Sequence, residues 1–510
     1  MSSVQHHVIR REILDVALTG TEVEGFALQS RLSALCRDWL GPAIEDALSR
    51  SAPEDEHWTI ERLEIDAGAF GIDTLERDFA GAVAGALGRQ LRDRFSGQGG
   101  DPQRSGDRTR AHSSPATPSR AADDDEAGAT AIRRTHSQSL WDAFIHFLQT
   151  GSLPWWYHLP AGRSLETALV ELLPEIETSA RTSSVWTEAL AFAAVRTRLV
   201  RQFSPSFLKS LLVAQAPAML STVHTIAAGL ERQPLSPDVL QIVTDHLWAS
   251  VFAVVASRRP FTDLEFATVW IQAVQAEPRL GDVPMHALEA AAPAITPSLR
   301  TQRRDAAEDN GIAPISLPTG QRSEALRKLQ NAPLRNEASS LFPNLEEGEF
   351  VDCAGTVLLH PFLPALFERL DVATQSNLND PDRAMALLHY LATGERRAPE
   401  YALVFAKLLC GMPLDAATGA PAELPDADIA EADSLLAAVI AHWTALGEAS
   451  PDALRGTFLT RPGKLSRRGG DDLLQVEAHS FDVLLDKLPW GMGVVQLPWM
   501  PRMLWVEWRK

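Results

Sequence analysis

Residues 236–260 read SPDVLQIVTDHLWASVFAVVASRRP, and this stretch sets the character of the chain. Ser236 before Pro237 is a helix start. The hydroxyl can accept from a free N–H of the first turn, and proline fits the first helical position, where no N–H is needed. Leu240, Val243, Leu247, Val251 and Val254 then recur every three or four residues and share one face. Arg258, Arg259 and Pro260 end the helix, since cations suit its negative end and proline cannot continue it. The same period recurs on both sides. Trp141, Phe144, Ile145 and Leu148 mark one face, with Gly151 as the C-cap. Tyr401, Val404 and Leu408 precede Gly411, and Leu435, Val439, His442, Trp443 and Leu446 form a further stripe. No heptad persists over several repeats, so no long coiled coil is expected.

The two ends of the chain change period. Over residues 4–18, Leu14, Val16 and Leu18 alternate with Asp15 and Ala17, which predicts a strand. A helix follows, with Leu28, Leu32, Leu35 and Trp39 as its apolar face and Gly41-Pro42 as an interruption. A second strand is expected over 58–67, bulged near Glu61. A second helix begins at Asp73, whose spacing to Glu76 fits a capping box, and carries the stripe Leu75, Phe79, Val83, Leu87 and Leu91. At the far end, residues 473–477, 481–486, 494–497 and 504–508 are short β-like runs separated by Gly and Pro, which predicts a small antiparallel β unit.

The expected fold is therefore α+β and mainly α: a small N-terminal βαβα unit, a helical middle and a short antiparallel β unit at the C-terminus. The map is an α+β domain over 1–95, a disordered linker over 96–135, a helical domain over 136–295, a linker over 296–340, a helical domain over 341–450 and a β-rich unit over 451–510. The first linker is nearly free of apolar residues, and the second is polar and lacks apolar periodicity.

Composition excludes several classes. The 510 residues carry a net charge of −19, where a nucleic-acid binder shows basic excess. Cys36, Cys353 and Cys410 make no CxxC pair, and read as buried thiols of a reducing compartment. The N-terminus has no apolar run after its charges, and no stretch of 18 apolar residues is read, so neither a secretory signal nor membrane insertion is expected.

Motifs that carry chemistry are missing. There is no Rossmann glycine fingerprint, no HExxH and no GxSxG. Gly456 to Lys464 has six residues between its glycines where a phosphate loop needs four, and Leu465 stands where Ser or Thr would bind magnesium. His6 and His7 would point to opposite faces of a strand. Glu64 and Asp66 would share a face but have no third ligand. No catalytic, cofactor-binding or metal residue is expected.

The sharpest local features are three Leu-Pro-Trp triplets, at 153–155, 488–490 and 497–499. Trp155 and Trp156 read as core plugs after a proline turn. For the C-terminal pair, core and interface readings stand level, and Trp490, Trp499 and Met500 are the candidate protein-interface residues.

The chain resembles the contractile injection system tape measure protein family. The stretches that carry the resemblance are REILDVAL (11–18) to IERLEIDAG (60–68), FLQTGSLPWW (147–156) and AGTVLLHPFLPALFERL (354–370). ALLHYLATG (386–394), YALVFAKLLCGMPL (401–414) and RPGKLSRR, LPWGMGVVQLPWM and VEW near the end complete the set. The resemblance implies a non-catalytic assembly protein of a phage-tail-like particle, acting in tube length control or tube and baseplate assembly. Its partners would be tube and baseplate or spike proteins. It would sit in the cytoplasm during assembly, or leave as part of an extracellular particle. A rival is a cytosolic chaperone or adaptor that loads tube or effector subunits and departs. An enzyme ranks below both.

Overall fold

In the computed structural model the chain divides into two units, 1–139 and 140–510. Residues 7–97, 131–292 and 345–508 are described, apart from short interruptions within each range. The linker expected over 296–340 lies outside them, as do 98–130 of the earlier one and His6.

Unit 1 departs from the expected βαβα order. No strand forms over residues 12–19, and Ile13, Leu14 and Val16 are exposed. Alternation proposes a strand, but a ladder must take up its backbone groups, and none does so here among the described residues. A π-helical turn over Cys36–Leu40 runs directly into α1, Gly41–Ser51. The widened turn rotates the face beyond it. Trp39, expected in the core, is 64% exposed, and Leu40 is buried in its place. Strand β1, Glu56–Ile60, replaces the one expected over 58–67; residues 63–70 are irregular, although Leu63 and Ile65 still pack on the core. Helix α2, Leu75–Gly97, buries the predicted stripe of Leu75, Phe79, Val83, Leu87 and Leu91. The Asp73–Glu76 capping box does not form. Thr74 offers its carbonyl to the Asp78 N–H, and Glu76 reaches Arg31 at 3.0 Å. β1 pairs antiparallel with β2, Ala131–Thr135, a strand inside the stretch read as linker.

Unit 2 holds two hydrophobic cores, which define two lobes. The first lobe is helical: α3 (His136–Thr150), α4 (Leu165–Ile176), α5 (Ala180–Leu190), α6 (Ala193–Gln202), α7 (Pro205–Gln215), α8 (Leu220–Glu231), α9 (Pro237–Ser257), α10 (Asp263–Gln275) and α11 (Met285–Ala291). Its centre is aromatic. Phe144 stacks on Trp186 at 5.8 Å and meets Phe203 edge-on at 5.3 Å. The caps of α9 form as expected: Ser236 accepts from Val239 N–H, and Arg258 ends the helix at φ 51°. By length and composition α9 could cross a membrane, with a window of mean hydropathy 1.6, which the sequence reading missed. Val243, Leu247, Val251 and Phe252 are instead buried in the first core.

The second lobe interlaces helices and a sheet. Strand β3 (Glu349–Val351) opens it. Then come α12 (Leu363–Arg369), a hairpin of β4 (Ala373–Thr374) and β5 (Asn377–Leu378), α13 (Pro381–Thr393), α14 (Val404–Leu409) and α15 (Asp426–His442). Strands β6 (Gly463–Arg468), β7 (Asp471–Val476), β8 (Val494–Val495) and β9 (Leu504–Glu507) complete a sheet in the order β3-β6-β7-β9-β8. The sheet is mixed, because β7 and β9 run parallel. Residues 481–486, read as a strand, lie in a 3-10 helix over Ser480–Lys487. His479 and Asp482 cap it reciprocally, and that local bonding outcompetes the ladder. The fold is mainly α with some β.

Candidate functional site

The two lobes of unit 2 meet at a buried ionic cluster. Arg198 on α6 and Glu400, in a 3-10 turn over Glu400–Ala402, have fully buried side chains 2.9 Å apart. Lys407 on α14, equally buried, donates to the same carboxylate oxygen, Oε1, at 2.7 Å. The Arg198 guanidinium also donates to the Leu148 carbonyl and the Asp415 carbonyl, both at 2.6 Å. Lys407 Nζ donates to the Leu414 carbonyl at 3.0 Å. Burial pulls the Lys407 ammonium below its ordinary pKa, against the opposite pull of Glu400. One carboxylate thus faces two cations, and Glu400 Oε2 has no hydrogen-bond partner among the described residues.

The chain makes room for this cluster at Gly151. As predicted, Gly151 caps α3: its N–H reaches the Phe147 carbonyl at 2.7 Å, with φ at 84°. A Cβ there would lie 2.7 Å from Glu400 Oε1, 3.0 Å from Lys407 Nζ and 3.1 Å from Arg198 Nη2. Glycine is required both by the left-handed backbone and by the charges. Around it, Gln202 Nε2 donates to Thr418 Oγ1 at 3.0 Å and to the Gly419 carbonyl at 2.8 Å, while its Oε1 accepts from the Glu400 N–H. Phe147 and Tyr401 close the rim edge-to-face at 5.8 Å.

Beside the seam, in the second lobe, are two small cavities. One of about 20 Å³ is lined by Cys353, Tyr401 and Phe405, and one of about 10 Å³ by Cys353, His389 and Leu409. Such volumes hold about one water each, not a substrate. Neither ring nitrogen of buried His389 has a hydrogen-bond partner among the described residues, and Glu395 lies 3.6 Å from Nε2. Burial lowers the His389 pKa and pushes the Cys353 thiol up to about 12, so this thiol is not poised as a nucleophile. Among the described residues no group of three or more metal-ligating side chains gathers.

The candidate interface residues sit in the second lobe. Trp490 donates to the Leu358 carbonyl at 3.0 Å and meets Phe362 edge-on at 5.1 Å. Trp499 donates to the Leu409 carbonyl at 2.8 Å and stacks on Phe367 at 5.4 Å. Both indoles are half-buried, and Met500 is buried. The exposed apolar side chains of this lobe lie elsewhere: Phe350, Phe481, Val483, Val494, Met503 and Trp505.

Sequence reasoning passed over Arg198, Glu400 and Lys407. One signal was available. Lys407 interrupts the run Val404, Phe405, Ala406, Leu408, Leu409, and a cation inside an apolar helix needs a buried partner.

No curated protein and no solved structure matches the chain. A family model described as contractile injection system tape measure protein matches residues 6–508, nearly its whole length, and the protein belongs to that family.

Proposed function

We propose that this chain acts as a folded assembly component at the start of tube or baseplate construction, rather than as an extended ruler. The observation that carries this reading is how short its regular elements are. The longest described helix, Leu75–Gly97, has 23 residues, and at about 1.5 Å per residue it spans only about 35 Å. The folded mass of unit 2 is spent on two cores and a charged seam, which are features of a docking body. Its partners are tube and baseplate proteins of the particle, and it performs no chemistry of its own. In this reading the C-terminal segment with Trp490, Trp499 and Met500 presents the second lobe to one of those partners.

The test is to lengthen the chain between residues 98 and 130 by a helical insert, then to measure tube lengths by electron microscopy and protein content by mass spectrometry. A folded assembly component gives unchanged tube lengths and remains in purified particles at fixed stoichiometry. Tubes that lengthen with the insert identify a ruler. A protein absent from finished particles identifies a chaperone that departs.

A further inference from the structure

The apolar cores of the two lobes are separate. Tyr401 is the one side chain of the second lobe packed on the first core among the described residues. Apart from Tyr401, what joins the lobes is polar: Arg198 to Glu400 and to the Asp415 carbonyl, Gln202 to Thr418 and Gly419, and the Glu400 N–H to Gln202. This is an unusual material for a permanent joint. Burying charges costs several kcal/mol per ion, on the order of what their attraction returns, and a well-packed apolar seam holds as firmly or better. The excess of cations over carboxylates, and the unpartnered Glu400 Oε2, make this seam weaker still as a source of stability.

Charge does supply selectivity. The planar fork of Arg198 must meet Leu148 O on its own lobe and Glu400 and Asp415 O on the other, all within 2.9 Å. A displacement of about an ångström breaks charge-assisted bonds whose geometry is this narrow. Any other docking leaves Arg198 buried without its carboxylate and leaves Glu400 with Lys407 alone, since those two lie on the same lobe. Gly151 removes the one Cβ that would keep the cluster from closing.

We infer that the Arg198–Glu400–Lys407 cluster is a register lock: it permits one docking geometry of the two lobes and leaves the joint able to reopen without unfolding either core. The cluster sets position and reversibility, and the cores set stability. An apolar joint would slide or hold permanently, whereas this one is either fully closed or hydrated and open.

The test uses the full chain. Spin labels are placed at Lys209→Cys on the first lobe and Glu448→Cys on the second, both exposed positions, in a Cys36→Ser background. Pulsed electron resonance then reads the distance between the lobes. The parent protein is expected to give one narrow distance. The triple variant Arg198→Met, Glu400→Leu, Lys407→Met is expected to keep its Tm within a few degrees while the distance distribution broadens or splits. A single narrow distance at the parent value in that variant overturns the lock. Should the triple variant not fold, Glu400→Gln decides. Amide exchange is expected to rise several-fold in α6 and over 400–419, and to stay unchanged in α9 and α13. A uniform rise through both cores, or no rise at the seam, overturns the proposal.

Discussion

Unit 2 closes two kinds of gap with opposite materials. Within the second lobe, Trp490 and Trp499 staple the C-terminal segment onto α12, the turn before it and the end of α14, each indole covering apolar surface and donating its one N–H to a carbonyl. Between the lobes, the Arg198–Glu400 pair does the joining, with Lys407 backing Glu400 from its own lobe. A staple of the first kind tolerates small shifts, because dispersion and burial fall off gradually. A charge cluster does not, because each lost partner strands an ion. The folded chain therefore uses aromatic rings where adhesion is wanted and ions where a single answer is wanted.

The largest expected break in this comparison is Glu400→Ala. It leaves Arg198 and Lys407 buried without a counter-charge, and unfolding in urea should show a loss of about 3–5 kcal/mol. Trp499→Ala should follow at about 3 kcal/mol, with Trp490→Ala alongside it, read as a lowered Tm of the isolated protein. Normal melting with failed particle assembly would instead make the two tryptophans partner anchors. Gly151→Ala should cost about 2 kcal/mol, from its left-handed backbone and from the intruding Cβ, and its amide-exchange damage should centre on α6 and the 400–419 segment.

A pH scan probes both cores. Burial holds the His146 pKa at about 4 and lowers those of His360 and His389. The unfolded chain binds protons on these rings near pH 6.5, and the folded one does so only lower. Their contribution is therefore complete above about pH 6.5 and declines as pH falls toward 4. Tm measured from pH 7.5 to 4.5 should fall across that window, and His146→Gln should shallow the slope. The smallest effect is expected at Arg369→Ala. Its pair with Glu431 is 69% exposed on the arginine side, and its removal should change stability by less than about 0.5 kcal/mol.

The helical stripes were legible because each is a local pattern with a single solution. Leu240 to Val254 and Leu75 to Leu91 needed no knowledge of their partners to be placed. The ends were less legible. Residues 12–19 alternate well but have no strand beside them among the described residues, while Ala131–Thr135, with Arg133 and Arg134 inside it, forms one because β1 lies opposite. Trp39 was misplaced because a π turn adds a residue that no periodicity announces. The ionic seam was invisible for a different reason. Arg198 and Glu400 are 202 positions apart, and a lone charge in sequence reads as solvated until the fold brings its partner.

The mixed sheet also bears on timing. β3 pairs with β6 across more than a hundred residues, and β7 runs parallel to β9, so no short hairpin can nucleate the whole sheet. Closing such loops comes before the contacts that reward it, whereas helix pairs such as α9 and α10 meet early. The first lobe is thus expected to mature while the second is still searching, with Arg198 waiting hydrated at its edge. Only when the late strands have seated, and Glu400 is held in its turn, can water leave the seam. The ionic joint then serves as a checkpoint on completed folding: it closes on a finished second lobe and stays wet against an unfinished one.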